Sequence, residues 1–280
     1  MRLSPCLLRD NVDIFCRKCP ILSIAGARHL DCLTAMSNVC LQCRYYPKDP
    51  THTFCCKDCA RDAANNAPSL IEIPSHHVMY LNAASAFYEG WNGTPPPIRT
   101  IYLVTWTRES RNEFEAYRDQ VESRGNFIAM GKYAGNERKR FRGAERACTI
   151  GEDGNVTMCY NGDCKVCEAL REGFRPYLDL KRRTGYHGTR LGPGLYSTYD
   201  TSKAAKYAIN KIPSDVHALM LCRVVLGNSY VTEHEMPYLQ QPPHGYDSVY
   251  ARPGPYSQFN TDERVVYTSR AMRPAYLIIY

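Results

Sequence analysis

From Ile101 onward the alternation of apolar and polar positions predicts mainly strands with a few short helices. Residues 101–106, Ile-Tyr-Leu-Val-Thr-Trp, are rich in β-formers and read as a strand. Ser110-x-x-Glu113 follows as a capping box, with Phe114, Tyr117 and Val121 at helical spacing and Gly125 as the stop. A basic strand is expected over 138–143 and a short strand over 195–197. Thr201 or Ser202 then caps a helix propagated by Ala204, Ala205 and Tyr207. Residues 218–226 are too apolar for a half-exposed strand and belong in the middle of a sheet. Two more strands are expected over 264–267 and 276–280. A predominance of strands with two or three helices makes residues 99–280 an α+β domain.

The pattern before that domain is different. Residues 1–64 hold most of the cysteines and little apolar periodicity, whereas residues 65–98 carry Pro68, Pro74 and an Asn-Gly-Thr-Pro-Pro-Pro run ending at Pro97. That second stretch reads as a connector. Its apolar piece over 78–88 packs on the following domain, and His76-His77 is a solvated pair. The 280 residues carry a formal charge of +7, which suits a polyanionic ligand and also an ordinary solvated surface. No stretch approaches about 18 consecutive apolar residues, and the N-terminus lacks a signal-peptide core. The expectation is a soluble intracellular protein, cytoplasmic or nuclear.

In a reducing compartment fourteen cysteines point to metal rather than disulfides. Cys40-x2-Cys43-x11-Cys55-Cys56-x2-Cys59 has the spacing of a tetrahedral thiolate site suited to structural Zn²⁺. Either Cys55 or Cys56 can supply the third ligand. Phe54-Cys55-x3-Cys59 resembles half of several small zinc modules and favours Cys40, Cys43, Cys55 and Cys59. Cys148-x10-Cys159-x4-Cys164-x2-Cys167 forms a second set, stapling a loop inside the main domain. Cys16-x2-Cys19 with His29 and Cys32 is too irregular to assign. Buried thiols without metal are the alternative in each case.

The densest chemistry lies in Gly185-Tyr186-His187-Gly188-Thr189-Arg190-Leu191-Gly192-Pro193-Gly194-Leu195-Tyr196 and the following Ser202-Lys203-Ala204-Ala205-Lys206-Tyr207. Four glycines in ten residues exclude a helix, each costing about 1 kcal/mol there relative to Ala. They fit a loop whose backbone approaches something closely, then a strand and a helix, with tyrosines eleven positions apart for a planar ligand.

This run resembles the donor loop and nicotinamide strand–helix of the poly(ADP-ribose) polymerase (PARP) catalytic domain, whose loop has the form H-G-T-x-x-G-x-G-x-Y. Asn136-Glu137-Arg138-Lys139-Arg140-Phe141-Arg142-Gly143 is similar to that family's N-x-R-x-L-W-H-G strand. Gly173-Phe174, Tyr246-Asp247-Ser248-Val249, Glu263-Arg264-Val265-Val266-Tyr267 and Pro274-Ala275-Tyr276-Leu277-Ile278 resemble further family elements, in family order. The cysteines ahead of the domain look most like a fungal and plant subgroup.

The resemblance implies a PARP-like ADP-ribosyltransferase fold, a split and mainly antiparallel sheet with flanking helices, preceded by a small Cys-rich zinc module. It implies NAD as substrate and an acceptor that is a protein or a nucleic acid, modified one unit at a time. In the family's His-Tyr-Glu triad, the tyrosine falls on Tyr196 and the glutamate on Glu263. Tyr207 stacks on the nicotinamide and Gly143 meets its carboxamide. His187, Gly188, Thr189, Gly192 and Gly194 belong to the donor loop. The family histidine falls on Arg142, a longer and permanently charged side chain. Arg142 can reach an NAD phosphate or pair with Glu263. Ala204 stands where many members carry a carboxamide-binding Ser. Two other readings follow from those departures: a PARP-like module that binds NAD or ADP-ribose without transfer, and a zinc-dependent adaptor for nucleic acid or protein.

Overall fold

A computed structural model describes residues 38–49, 52–176 and 190–280. The expectations for Cys16, Cys19, His29 and Cys32, and those for His187, Gly188 and Thr189, lie outside the described residues. The described chain runs α1 (Lys57–Asn65), β1 (Leu70–Glu72), α2 (Val78–Glu89), β2 (Thr100–Val104), α3 (Arg108–Gly125), β3 (Glu137–Gly143) and α4 (Lys165–Glu172). It continues with β4 (Leu195–Ser197), α5 (Thr201–Ala205), β5 (Ala218–Val225), β6 (Ser229–Thr232), β7 (Ser248–Ala251), β8 (Glu263–Val266) and β9 (Met272–Ile279).

The strands form two sheets. The larger has the order β1-β2-β9-β5-β3 and is antiparallel throughout. The smaller has the order β4-β8-β7-β6, with one parallel pair, β6 and β7. The apolar run over 218–226 lies inside the larger sheet as expected, between β9 and β3. All eight residues of β9 are buried, and each fully buried Leu or Ile contributes about 1.5–3 kcal/mol. Pro274 fits within β9 because β2 pairs only from Tyr276 onward, and the ladder to β5 shifts register at this point. Trp106 Nε1 donates to the Pro274 carbonyl at 2.6 Å.

Two helices begin elsewhere than expected. The cap of α3 is Thr107, whose hydroxyl accepts from Ser110 N at 3.2 Å, so Ser110 falls in the first turn. Glu113, the expected partner in the capping box, pairs instead with Arg273 at 3.1 Å. The cap of α5 is Asp200, accepting from Lys203 N at 2.8 Å, while Thr201 is buried in the first turn. Ser, Thr and Asp are comparable caps, and tertiary packing decides among neighbours.

Residues 65–98, expected as a connector, supply a strand of the larger sheet and a helix over its face. Phe87 of α2 is fully buried against Phe141, Trp91 and Tyr280. Cys40, Leu41, Phe54, Cys59 and Ala63 share that apolar cluster with Ile101, Leu219 and Ile278. His77 is buried rather than solvated. Its Nδ1 accepts from Met79 N at 3.1 Å, capping α2, and Nε2 bonds the Val39 carbonyl at 2.9 Å. Those two bonds require the neutral ring with its proton on Nε2, and burial lowers the pKa in the same sense.

Arg146 had no assigned role in the sequence and is 1% exposed. It donates to Asn210 Oδ1 (3.0 Å), the Ile150 carbonyl (3.1 Å), Ser214 Oγ (2.7 Å) and the Val216 carbonyl (2.7 Å), and pairs with Glu152 at 2.8 Å. It thereby ties the loop after β3 to the chain entering β5. Arg146→Met strands these acceptors and is expected to lower unfolding free energy by about 3 kcal/mol. Urea denaturation checks it, and a loss below about 1 kcal/mol would mean the acceptors find water.

Candidate functional site

Two backbone hydrogen bonds form the seam from which the site is built. Phe141 N donates to the Thr198 carbonyl (2.7 Å), and Thr198 N donates to the Phe141 carbonyl (3.1 Å). This bridge joins β3, at the edge of the larger sheet, to the chain leaving β4. It places Arg142 beside Tyr196, whose carbonyl accepts from Arg142 Nη1 at 2.6 Å. The half-buried guanidinium also lies 5.2 Å from the Phe174 ring centroid. Burial lowers the Arg142 pKa, yet a guanidinium stays charged at neutral pH.

The next residue explains its own identity. A Cβ on Gly143 would stand 2.2 Å from the Ala204 carbonyl oxygen and 2.8 Å from Ala208 N. Only glycine lets α5 settle on the end of β3. Ala204 is buried in that contact, and Tyr207 beyond it is 60% exposed, leaving its ring open to a ligand.

Tyr196 closes the loop before it. Its hydroxyl donates to the Gly192 carbonyl at 2.8 Å and accepts from Leu191 N at 2.9 Å. Tyr267 donates to the Leu191 carbonyl at 2.6 Å. Gly192 has φ +71°, and a Cβ there would meet the Leu239 carbonyl oxygen at 1.8 Å. A Cβ on Gly194 would meet Val265 Cγ1 at 2.2 Å. The close approach read from these two glycines is therefore made by the protein's own β8 and the segment around Leu239.

Glu263 opens β8 and is 8% exposed. Its Oε1 pairs with Lys203 Nζ at 2.5 Å, and its Oε2 is buried with no partner among the described residues. A desolvated carboxylate oxygen without a donor is costly, and its natural complement is a hydroxyl or N–H from a ligand. Lys203 rather than Arg142 thus neutralises Glu263. Sequence reasoning gave Lys203 no role, and no spacing rule connects residues so far apart.

Arg142, Gly143, Tyr196, Ala204 and Tyr207 gather at the seam, and Lys203 on α5 links Glu263 to it. A cavity of about 720 Å³ opens elsewhere, between Trp91, the prolines 95–97, His217, Tyr280 and the Ser202–Lys206 side of α5. None of Arg142, Tyr196, Tyr207 or Glu263 lines it.

Both cysteine sets converge. The sulfurs of Cys40, Cys43, Cys55 and Cys59 lie within 4.8 Å of one another, as do those of Cys148, Cys159, Cys164 and Cys167. Cys43–Cys55 is 3.7 Å, Cys55–Cys59 3.5 Å, Cys148–Cys164 3.6 Å and Cys148–Cys167 3.5 Å. A tetrahedral ion with metal–sulfur bonds of about 2.3 Å sets its sulfurs ~3.8 Å apart, so both donor sets fit such an ion. Cys56 falls outside the first set: it is exposed, its sulfur 3.8 Å from that of Cys55 and accepting from Cys59 N at 3.5 Å to cap α1.

Among the described residues no helix is long and apolar enough to cross a membrane. Over 66 residues the chain is 41% identical to the protein mono-ADP-ribosyltransferase PARP3 of Gallus gallus, a stretch amounting to 24% of this chain and 12% of that protein. Residues 135–258, less than half of the chain, match the family model described as the poly(ADP-ribose) polymerase catalytic domain. The match takes in Arg142, Gly143, Tyr196, Ala204 and Tyr207 and ends before Glu263. The stretch holding the seam therefore carries the PARP catalytic-domain pattern.

Proposed function

We propose that the chain is an NAD-dependent ADP-ribosyltransferase that moves a single ADP-ribose unit to a protein or nucleic-acid acceptor. The observation that carries this reading is Glu263, a buried carboxylate with one oxygen held by Lys203 and the other unpartnered. Cleavage of the bond between ribose C1′ and nicotinamide leaves the electron pair on nicotinamide and builds positive charge on the ribose. A fixed carboxylate stabilises that charge, and its free oxygen orients a ribose hydroxyl. The acceptor's oxygen or nitrogen forms the new bond to C1′ and releases its proton. Lys203 holds the carboxylate in place. The open Tyr207 ring stacks on nicotinamide, the Gly143 backbone meets the carboxamide, and Tyr196 with the loop of Gly192 and Gly194 frames the ribose side. The resemblance assigns His187, Gly188 and Thr189 to the same donor loop. Arg142, spending one N–H on the Tyr196 carbonyl, has others left for a phosphate of NAD.

A second reading, binding of NAD or ADP-ribose without transfer, is favoured by Arg142 in the histidine position and by Ala204 in place of a serine. Incorporation of label from NAD separates it from the first. A rise in melting temperature with NAD separates both from a pure adaptor. The two cysteine sets are read as structural Zn²⁺ sites that stabilise their loops.

Glu263→Gln is expected to cut label incorporation about 100-fold or more while leaving the melting temperature near that of the parent. Retained transfer would remove Glu263 from the reaction. Arg142→His is expected to strengthen NAD binding, read as a larger thermal shift at equal NAD. A smaller shift would mean that Arg142 itself binds the dinucleotide. Cys43→Ser and Cys164→Ser should each remove one zinc ion per chain by elemental analysis, whereas Cys56→Ser should remove none.

A further inference from the structure

Strand β8 carries opposite charges on its two faces. Glu263 and Val265 are buried on one side, and Arg264 between them points to the other. There its guanidinium lies 3.3 Å from the ring centroid of Tyr250, its cross-strand partner on β7. Strand β3 brings two more arginines. Arg138 lies 5.9 Å from the Tyr133 ring centroid, and Arg140 sits near enough to Tyr199 and Tyr250 to feel both.

The three cations crowd one another. Burial, then Arg140, then Arg138 push the Arg264 pKa down to about 10, and burial with Arg138 also lowers that of Arg140. Among the described residues none of the three forms an ion pair. Asp262 tempers the charge of Arg140 and Arg264 without an ion pair to either, its oxygens accepting from the Thr198 hydroxyl (2.7 Å) and Tyr199 N (3.1 Å). The Nε atoms of Arg140 and Arg264 are buried without an acceptor. An arginine cluster built for stability would hold a carboxylate at its centre. Here one carboxylate, that of Asp262, serves the arginines without an ion pair, and tyrosines stand beside them, Tyr133 72% and Tyr199 44% exposed.

We propose that the face formed by Arg138, Arg140 and Arg264 with Tyr133, Tyr199 and Tyr250 binds single-stranded nucleic acid. The guanidinium forks take phosphodiester oxygens, and the open Tyr133 and Tyr199 rings stack on bases. Asp262 offsets only part of the mutual repulsion of the three cations, and a bound phosphate relieves the rest. Binding does not depend on the transferase reading.

The test is fluorescence anisotropy of the full chain with a labelled oligothymidylate, without NAD, over a range of salt. Arg140→Gln and Arg264→Gln are each expected to weaken binding about tenfold and to lower the salt slope by ~0.7. Tyr199→Ala is expected to weaken it by about tenfold through lost stacking. Melting temperatures of the two arginine variants should hold or rise, since a repulsive contact is removed. The proposal is overturned if the parent does not bind, if the variants bind like the parent, or if both arginine variants melt lower at unchanged affinity. Equal affinity for a duplex, inorganic polyphosphate or polyglutamate would also overturn it, showing a site that reads charge alone. Loss of transfer with oligonucleotide binding intact would count against the transferase reading only.

Discussion

The joint between the two sheets is the constraint on which the candidate site depends. Two hydrogen bonds between Phe141 and Thr198 set the register of β3 against the chain leaving β4. Side chains alternate along a strand, so a slip of one residue would turn Arg142 away from Tyr196 and bring another residue under α5. Phe141 anchors the joint from below, buried and edge-on to Phe87 at 6.4 Å. Gly143 anchors it from above by leaving room for α5. The glycine, the helix and the bridge form one mechanical unit, and Tyr207 and Lys203 take their positions from it.

Packing extends that unit toward the N-terminus. Phe87, Trp91 and Tyr280 meet at ring-centroid distances of 5.1–5.8 Å, and the turn after α2 is bonded to the start of α5. Gly90 accepts from Thr201 N at 2.7 Å, and Asn92 donates from Nδ2 to Asp200 at 3.0 Å. The first cysteine set lies against the same apolar cluster. The four converging sulfurs there draw α1 and the segment before it together, and the core braces α2. The second set is a local staple: Cys164 opens α4, and Arg171 near its end donates to the Cys159 carbonyl while lying 4.4 Å from the Tyr160 ring centroid. Small thiolate sites suit such places because they hold a loop without needing a large apolar core.

Electrostatics then distinguishes the two faces of the smaller sheet. On one, a carboxylate is buried with a lysine and keeps a single oxygen in reserve. On the other, Arg264 meets Arg138 and Arg140 of β3, from the larger sheet, on a surface shared with tyrosines and without an ion pair among the described residues. Buried charges are tolerated when paired, so the first arrangement is close to balanced, whereas the second is offset only in part by Asp262. The chain's excess of seven positive charges is in this sense not spread evenly.

Several features were legible in the sequence because they depend on local chemistry. The apolar run of β5 announced an interior strand, cysteine spacing grouped the two thiolate sets correctly, and the glycine-rich run located the loop before Tyr196. The caps Thr107 and Asp200 were missed because adjacent Ser and Thr residues are equally good caps in isolation. The burial of His77 and the hub at Arg146 left no local trace, since their partners lie on distant segments. The pairing of Glu263 with Lys203 belongs to the same class. The sequence by itself determined most of the strands of the main domain, where thiols cluster and where a glycine-rich loop must run, because those follow from side-chain shape and spacing. Strands β1, β6 and β7 carry too short a pattern to be read alone. Only the tertiary structure decided which charges meet, which stay unpaired and what the glycines make room for, because those depend on strands and helices brought together from far along the chain.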